Sequence, residues 1–200
     1  MRENAKMKNI CLYCGSNPGK DPEYIDGARS LVREIVAQNI GIVYGGASIG
    51  IMGAVADTAL EAGGKVVGVI PQSLVDKEIS HAALTELKIV GSMHERKALM
   101  AELSDGFIAL PGGLGTMEEI IEVLTWAQLG FHSKPCALFN LLGFYNGLST
   151  FLDHAVSEQF IKDEHRSLLI IEHNPQRLLE HFMAYKSPVQ INKWIKFDAI

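Results

Sequence analysis

A basic excess is missing from this chain. Its formal net charge of −5 leaves little with which to displace counterions from a nucleic-acid backbone, so no nucleic-acid partner is expected, although a local phosphate site remains compatible with it. Long apolar runs are missing too, since none reaches the roughly 20 residues that a membrane helix needs, and no membrane partner is expected. Residues 1–9 are polar with Lys and Arg, and the apolar stretch after them ends at Gly15, too short for a signal-peptide core, so a cytoplasmic location is expected. Cysteine is scarce and odd in number: Cys11, Cys14 and Cys136 imply no disulfide framework. Cys11 and Cys14 do spell C-x-x-C, but they fall in an apparent strand, where residues three apart point to opposite faces, and not at a helix start as a redox pair would. The histidines show neither H-E-x-x-H nor close Cys/His spacing, so neither metal nor cofactor is expected. Repeats, low-complexity segments and Pro- or Ser-rich linkers are likewise lacking.

What the chain does have is an ordinary globular balance, 48% hydrophobic and 20% charged over 200 residues, enough for one domain with a substantial core. Apolar runs at residues 10–14, 42–44, 66–70, 87–90, 107–110, 137–139 and 168–171 predict strands. Helical patterns at 22–38, 50–62, 94–103, 116–129, 144–159 and 175–185 alternate with them. Asp21-Pro22 and Asn174-Pro175 are helix starts, and Gly63-Gly64 is a helix end. Strands that are apolar at every position, separated by helices, mean a parallel sheet covered on both faces. The expected fold is therefore α/β: a single-domain, doubly wound, Rossmann-like parallel sheet flanked by helices, spanning residues 1–186. Residues 187–200, with Trp194 and Phe197 but no clear period, are expected to form a tail that packs on the body or on a partner chain.

In such a sheet ligands sit outside the carboxyl ends of the strands, where the winding order reverses. Four of the loops there are unusual. Cys14-Gly15-Ser16-Asn17-Pro18-Gly19 is a small-residue turn in which Ser16 offers a hydroxyl to a ligand. Tyr44 to Gly53 is a strand, a glycine loop containing Gly45 and Gly46, and a helix start; it lacks the Lys-Ser/Thr of a Walker loop and the clean spacing of a dinucleotide fingerprint. Gly91 to Lys97 opens a helix with a cluster of charge, and Arg96, in about its first turn, suits bidentate contact with a phosphate or carboxylate. Each of the two glycine loops, taken alone, also reads as a plain tight turn.

The fourth loop is the most informative. Leu110-Pro111-Gly112-Gly113-Leu114-Gly115-Thr116-Met117-Glu118-Glu119 is a strand end, a turn with three glycines, and a helix start. Glycines let the backbone take φ > 0 and let a bulky anion approach main-chain N–H groups. A helix start carries unpaired N–H groups and a positive dipole end, where phosphate binds readily. Glu118, Glu119 and Glu122 lie just beyond, and Thr116-x-x-Glu119 also reads as a capping box with no chemical role. Two glycine loops facing one crevice fit a mononucleotide better than a dinucleotide. A carboxylate beside them could stabilise positive charge built on a sugar as a nucleobase leaves, and could orient or deprotonate the attacking water. Arg96 could hold that carboxylate ionised and oriented.

On these residues the chain resembles the Lonely Guy family of cytokinin riboside 5′-monophosphate phosphoribohydrolases, over roughly residues 10–180. The pattern P-G-G-x-G-T-x-x-E is met in full by Pro111 through Glu119, M-H-x-R-K by Met93-His94-Glu95-Arg96-Lys97, and the early C-G-S and the Y-G-G-x-x-x-G-x-M-G loop also match. The resemblance implies hydrolysis of the N-glycosidic bond of an adenine-type nucleoside 5′-monophosphate, AMP or an N6-substituted relative, to free base and ribose 5-phosphate. It implies essential roles for Arg96 and Glu119, and substrate contacts at Glu78, Lys97, Gly113, Leu114, Gly115, Thr116, Met117, Glu118 and Thr125. Gly112 belongs to the same loop. It further implies a homodimer whose partner helps to complete each site, with the helix from Thr116 a contributor to the contact. One departure is Ala47, where many relatives carry a third glycine; its methyl group is expected to narrow the approach to a ligand or to forbid φ > 0. A non-catalytic nucleotide carrier or sensor is the alternative reading. A lysine decarboxylase would need a Schiff-base lysine, for which Lys97 is the nearest and an unpersuasive candidate.

Overall fold

Seven strands lie side by side in one parallel sheet. The computed structural model describes residues 7–75 and 80–189. Its strands are β1 (Asn9–Tyr13), β2 (Gly41–Tyr44), β3 (Val66–Pro71), β4 (Glu86–Val90), β5 (Phe107–Ala109), β6 (Cys136–Phe139) and β7 (Leu169–Glu172). They are ordered β4-β3-β2-β1-β5-β6-β7, each pairing parallel to its neighbours. Cys11 in the central strand faces Val43 of β2 on one side and Phe107 of β5 on the other. The chain winds outward from β1 to β4, crosses back, and winds outward again from β5 to β7. The winding therefore reverses between β1 and β5, and the crevice that opens there is where a ligand is expected.

The principal helices are α1 (Glu23–Ala37), α2 (Gly50–Glu61), α4 (Met93–Glu102), α5 (Leu114–Gln128), α6 (Asn146–Ser157) and α8 (Pro175–Ala184), with single turns α3 (Gln72–Val75) and α7 (Asp163–Arg166). Two cores sit on the two faces of the sheet. One joins Ile10, Leu12 and Tyr44 to Leu31 and Ile35 of α1, Val55 of α2 and Phe182 of α8. The other joins Cys11, Tyr13 and Phe107 to Met100 of α4, Val123 of α5 and Leu152 of α6. The alternation of β1 thus sends Cys11 into one core and Cys14, just past its end, into the other, and all three thiols are free and buried. No helix among the described residues is long and apolar enough to cross a membrane.

The expected strands and principal helices are all present, with boundaries shifted by physical causes. The helix expected from residue 144 begins only at Asn146, because Leu141–Gly143 forms a 3-10 turn in which Leu142 takes φ 51°. Its far end stops at Ser157, and Gln159 follows at φ 64°. Tail residues 190–200, together with Glu78, lie outside the described residues.

Candidate active site

The geometry of the site begins with two helix starts. At α4 the Ser92 hydroxyl accepts from the Glu95 N–H at 3.1 Å, and the Glu95 carboxylate accepts from the Gly91 N–H at 2.8 Å. Ser92 therefore caps the helix through Glu95, whose carboxylate reaches back one residue beyond the cap, and the two bonds fix the start of the helix that carries Arg96. The capping box read at Thr116-x-x-Glu119 does not form. Helix α5 starts two residues earlier than expected, at Leu114, its N-cap is Gly113, and no side chain caps it. Its first turn holds no acidic residue, so the unpaired amides face the crevice without a protein anion in front of them.

Glu119 is free for another partner, and that partner is Arg96: Nη1 and Oε1 are 2.8 Å apart, with the side chains 12% and 10% exposed. The guanidinium also donates from Nε to the Val69 carbonyl at 3.1 Å and from Nη1 to the Met93 sulfur at 3.2 Å, which fixes its plane. Glycine at position 45 makes room for it, since a methyl group there would fall on the Arg96 guanidinium and 2.5 Å from Met52 Cε. Burial raises the pKa of Glu119, and Arg96 brings it only part of the way back. A carboxyl whose pKa is raised in a cleft is suited to exchanging a proton with a bound reactant or water.

These groups wall a cavity of about 280 Å³ at the switch point. Of the expected site residues, Ser16, Gly45, Arg96 and Glu119 line it, as do Gly113, Leu114, Gly115 and Thr116. The glycines of this loop do not use left-handed backbone, for neither Gly112, Gly113 nor Gly115 has positive φ. Their role is clearance: a Cβ on Gly113 or Gly115 would point into open space, clear of the surrounding protein, and both residues line the cavity. Gly112 is held differently, packed so tightly on Thr116 and the Gly15 amide that a methyl group would collide with both.

Several expected contacts stand elsewhere in the single chain. Gly46 is a turn residue at φ 79°, and Ala47 beside it is buried without positive φ, its carbonyl accepting from the Tyr44 hydroxyl at 3.1 Å; neither lines the cavity. The expectation that Ala47 narrows the approach to a ligand is therefore not met at this cavity. Lys97 turns away from the cavity to Glu118 and Glu122. Burial pulls the Lys97 pKa down, but the two carboxylates outweigh it and the net shift is upward, the opposite of what a Schiff-base lysine requires. Met117 packs into the α5-side core. Thr125 is exposed and donates back to the Ile121 carbonyl at 2.7 Å. Sequence reasoning missed Leu12, Tyr13, Cys14, Gly15 and Met52, which also line the cavity. The signal was available for the first three, at the carboxyl end of the strand beside the switch point.

Comparison with known proteins agrees with this architecture. A family model described as "Possible lysine decarboxylase" matches residues 52–182. The chain is 49% identical over 182 residues to the cytokinin riboside 5′-monophosphate phosphoribohydrolase LOG5 of Arabidopsis thaliana, covering 91% of this chain and 80% of that protein. It is 48% identical over 181 residues to the probable cytokinin riboside 5′-monophosphate phosphoribohydrolase LOGL6 of Oryza sativa subsp. japonica, covering 90% and 72%. Among solved structures, the molybdenum cofactor binding protein of Rippkaea orientalis superposes with a TM-score of 0.68 at 22% identity, over 90% of this chain and 98% of that one, a likeness of fold alone. With nearly half of its residues shared along nine-tenths of its length, and P-G-G-x-G-T-x-x-E at the mouth of its cavity, the chain belongs to the cytokinin riboside 5′-monophosphate phosphoribohydrolase family.

Proposed function

We propose that this protein hydrolyses the N-glycosidic bond of an adenine-type nucleoside 5′-monophosphate, AMP or an N6-substituted relative, releasing free base and ribose 5-phosphate. The single observation that carries the reading is the Arg96–Glu119 pair, 2.8 Å apart in a cavity whose rim is the uncapped start of α5. The phosphoryl group sits on the amides of Gly113, Gly115 and Thr116, where the helix dipole favours an anion. That contact holds C1′ of the ribose against Glu119. As the bond from C1′ to the base nitrogen breaks, its electron pair leaves with the base and positive charge grows on the sugar. The carboxylate stabilises that charge and takes a proton from the attacking water, whose oxygen becomes the new hydroxyl on C1′; the base nitrogen takes up a proton as it departs. Arg96 orients the carboxylate throughout.

The partner arrangement belongs to the same proposal. Leu114 and Ile121 on α5 and Leu129 just past its end are 90%, 37% and 47% exposed. They fall on one helical stripe that also carries Thr125 and Glu118, and this largely apolar face supports a homodimer packed through α5. Sedimentation at micromolar concentration should give twice the chain mass. The three buried free thiols support a cytoplasmic setting.

Incubation with AMP and chromatography of the products tests the reaction, with adenine and ribose 5-phosphate expected in equal amounts. Adenosine should be a far poorer substrate, because the α5 amides then have nothing to hold. Adenosine cleaved as fast as AMP would refute the phosphate cradle, and nucleotide bound without turnover would make the protein a carrier. A parallel assay with isopentenyl-AMP ranks the two bases.

A further inference from the structure

The end of β5 slips by one residue against β1. In a regular parallel ladder, a residue that donates its N–H to a neighbouring strand accepts through its carbonyl from the residue two further along that strand. Leu110 donates its N–H to the Tyr13 carbonyl at 2.8 Å, so a regular ladder would bring the Gly15 N–H to the Leu110 carbonyl. That N–H goes instead to Pro111, at 3.2 Å. The slip lets the chain leave the sheet at Pro111, which has no N–H to lose, and run through Gly112 to Gly113, the cap of α5. It also deprives a fully buried residue of the ladder partner for its carbonyl, and a buried carbonyl needs one.

The Tyr145 hydroxyl takes that place, donating to the Leu110 carbonyl at 2.6 Å. Tyr145 is buried at the N-cap of α6, its ring edge-on to Phe144 with centroids 4.9 Å apart. Its backbone is tied as well: the Asn140 side chain accepts from the Tyr145 N–H at 2.7 Å and donates to the Asn146 side chain at 2.8 Å. Between Asn140 and Tyr145 lies the turn in which Leu142 takes φ 51°, a backbone that leucine holds only where its surroundings impose it. The strained turn thus ends by setting one buried hydroxyl on one released carbonyl. Burial pushes the pKa of that hydroxyl up, so it stays a donor across the working range.

We propose that Tyr145 is a positioning residue for the phosphate cradle: its hydroxyl holds the glycine loop where the amides of Gly113, Gly115 and Thr116 meet a phosphoryl group. This rests on the reaction proposed above and deepens it. Tyr145 does not line the cavity and acts through the chain. Leu110 is three residues before Gly113, and Gly112 between them is packed on Thr116 and the Gly15 amide with no room for a methyl group. A shift at Leu110 is therefore passed to the first turn of α5 and is not absorbed on the way.

The test measures AMP hydrolysis and its inhibition by ribose 5-phosphate in the full-length protein. Wild type comes first: no release of adenine, or ribose inhibiting as strongly as ribose 5-phosphate, refutes the cradle itself, and the role of Tyr145 falls with it. Given a working wild type, Tyr145→Phe keeps the ring in the core and removes only the hydroxyl. KM for AMP and Ki for ribose 5-phosphate should rise together by about fivefold, the scale of one net hydrogen bond, while kcat falls by no more than about twofold. A purely structural role would lower the melting temperature and the folded fraction but leave Ki where it was. Unchanged KM and Ki would therefore overturn the proposal, and so would a large fall in kcat at constant Ki. Should Tyr145→Phe fail to fold, Asn140→Ala keeps the hydroxyl and removes the side chain that ties the Tyr145 backbone. Ki should then rise by about threefold, and an unchanged Ki refutes the proposal.

Discussion

Replacing Glu119 by Gln separates the chemistry of the carboxylate from its part in the fold. The amide keeps the shape and can still accept a hydrogen bond from Arg96, but it can neither take a proton from water nor balance charge on the sugar. Loss of a positioned general base lowers rate by about 10²- to 10⁴-fold, and kcat for AMP should fall in that range with nucleotide binding largely kept. Stability should move the other way. Burial raises the Glu119 pKa from its ordinary 4.5, and Arg96 offsets only part of that. An acid whose pKa is higher in the fold than in the unfolded chain stabilises the fold while protonated, and that contribution is lost as pH rises through the folded value. A glutamine resembles the protonated carboxyl at every pH. The charge-assisted bond from Arg96, about 1.5–3 kcal/mol for such bonds, is already inside that balance. At pH 7 the Glu119→Gln protein should therefore melt at or above the wild-type temperature, with the difference shrinking as pH falls toward 4.5. Scanning fluorimetry and chromatography of free adenine read the two effects. Activity within tenfold of wild type would remove Glu119 from the reaction, and a melting point several degrees lower at pH 7 would make the pair a structural strut.

Gly115→Ala adds a methyl group in the first turn of α5 that would point into open space, clear of the surrounding protein. Alanine favours a helix over glycine by about 1 kcal/mol, so melting should rise by about 2–4 °C while KM for AMP rises about tenfold as the methyl group enters the cradle. Gly45→Ala should do harm on both counts, since its methyl group displaces Arg96: a loss of about 1–3 kcal/mol in urea unfolding with kcat falling alongside. His132 gives a pH handle away from the site. Burial, helped by nearby Lys134, lowers its pKa from 6.5 to about 4, while Nε2 donates to the Val123 carbonyl at 2.9 Å. A histidine held neutral stabilises the fold above its unfolded pKa and loses that contribution as pH falls, so roughly 3 kcal/mol should disappear between pH 6.5 and 4. His132→Gln should flatten that slope in urea midpoints, and an unchanged slope would show that other groups govern acid unfolding.

Much of the architecture is legible in the residues because burial on both faces of a parallel sheet makes each strand an unbroken apolar run, as in Ile42-Val43-Tyr44. The glycine loop before α5 is legible as well, and so is the presence of a carboxylate and a guanidinium near it. The start of α5 is less so: Leu114 and Gly115 are neither a capping pair nor a helix signal, and only the chain path shows that Gly113 is the cap. Leu142 at φ 51° is invisible for a similar reason, since leucine seldom adopts that backbone and nothing nearby announces the 3-10 turn. That Lys97 reaches Glu118 and Glu122 depends on how α4 and α5 sit relative to each other, which no local spacing encodes. Thr125 reads as a neighbour of Glu119 along the chain but stands round the helix from it, on the exposed stripe.

The uncapped beginning of α5 has a consequence for turnover. A phosphoryl group held there is the same chemical entity before and after the glycosidic bond breaks, so its grip adds affinity without distinguishing reactant from leaving sugar. Ribose 5-phosphate should then linger once the base has gone and compete with fresh nucleotide. Sugar release is accordingly a natural candidate for the slow step, and an early burst of adenine followed by a slower steady rate would be its kinetic mark.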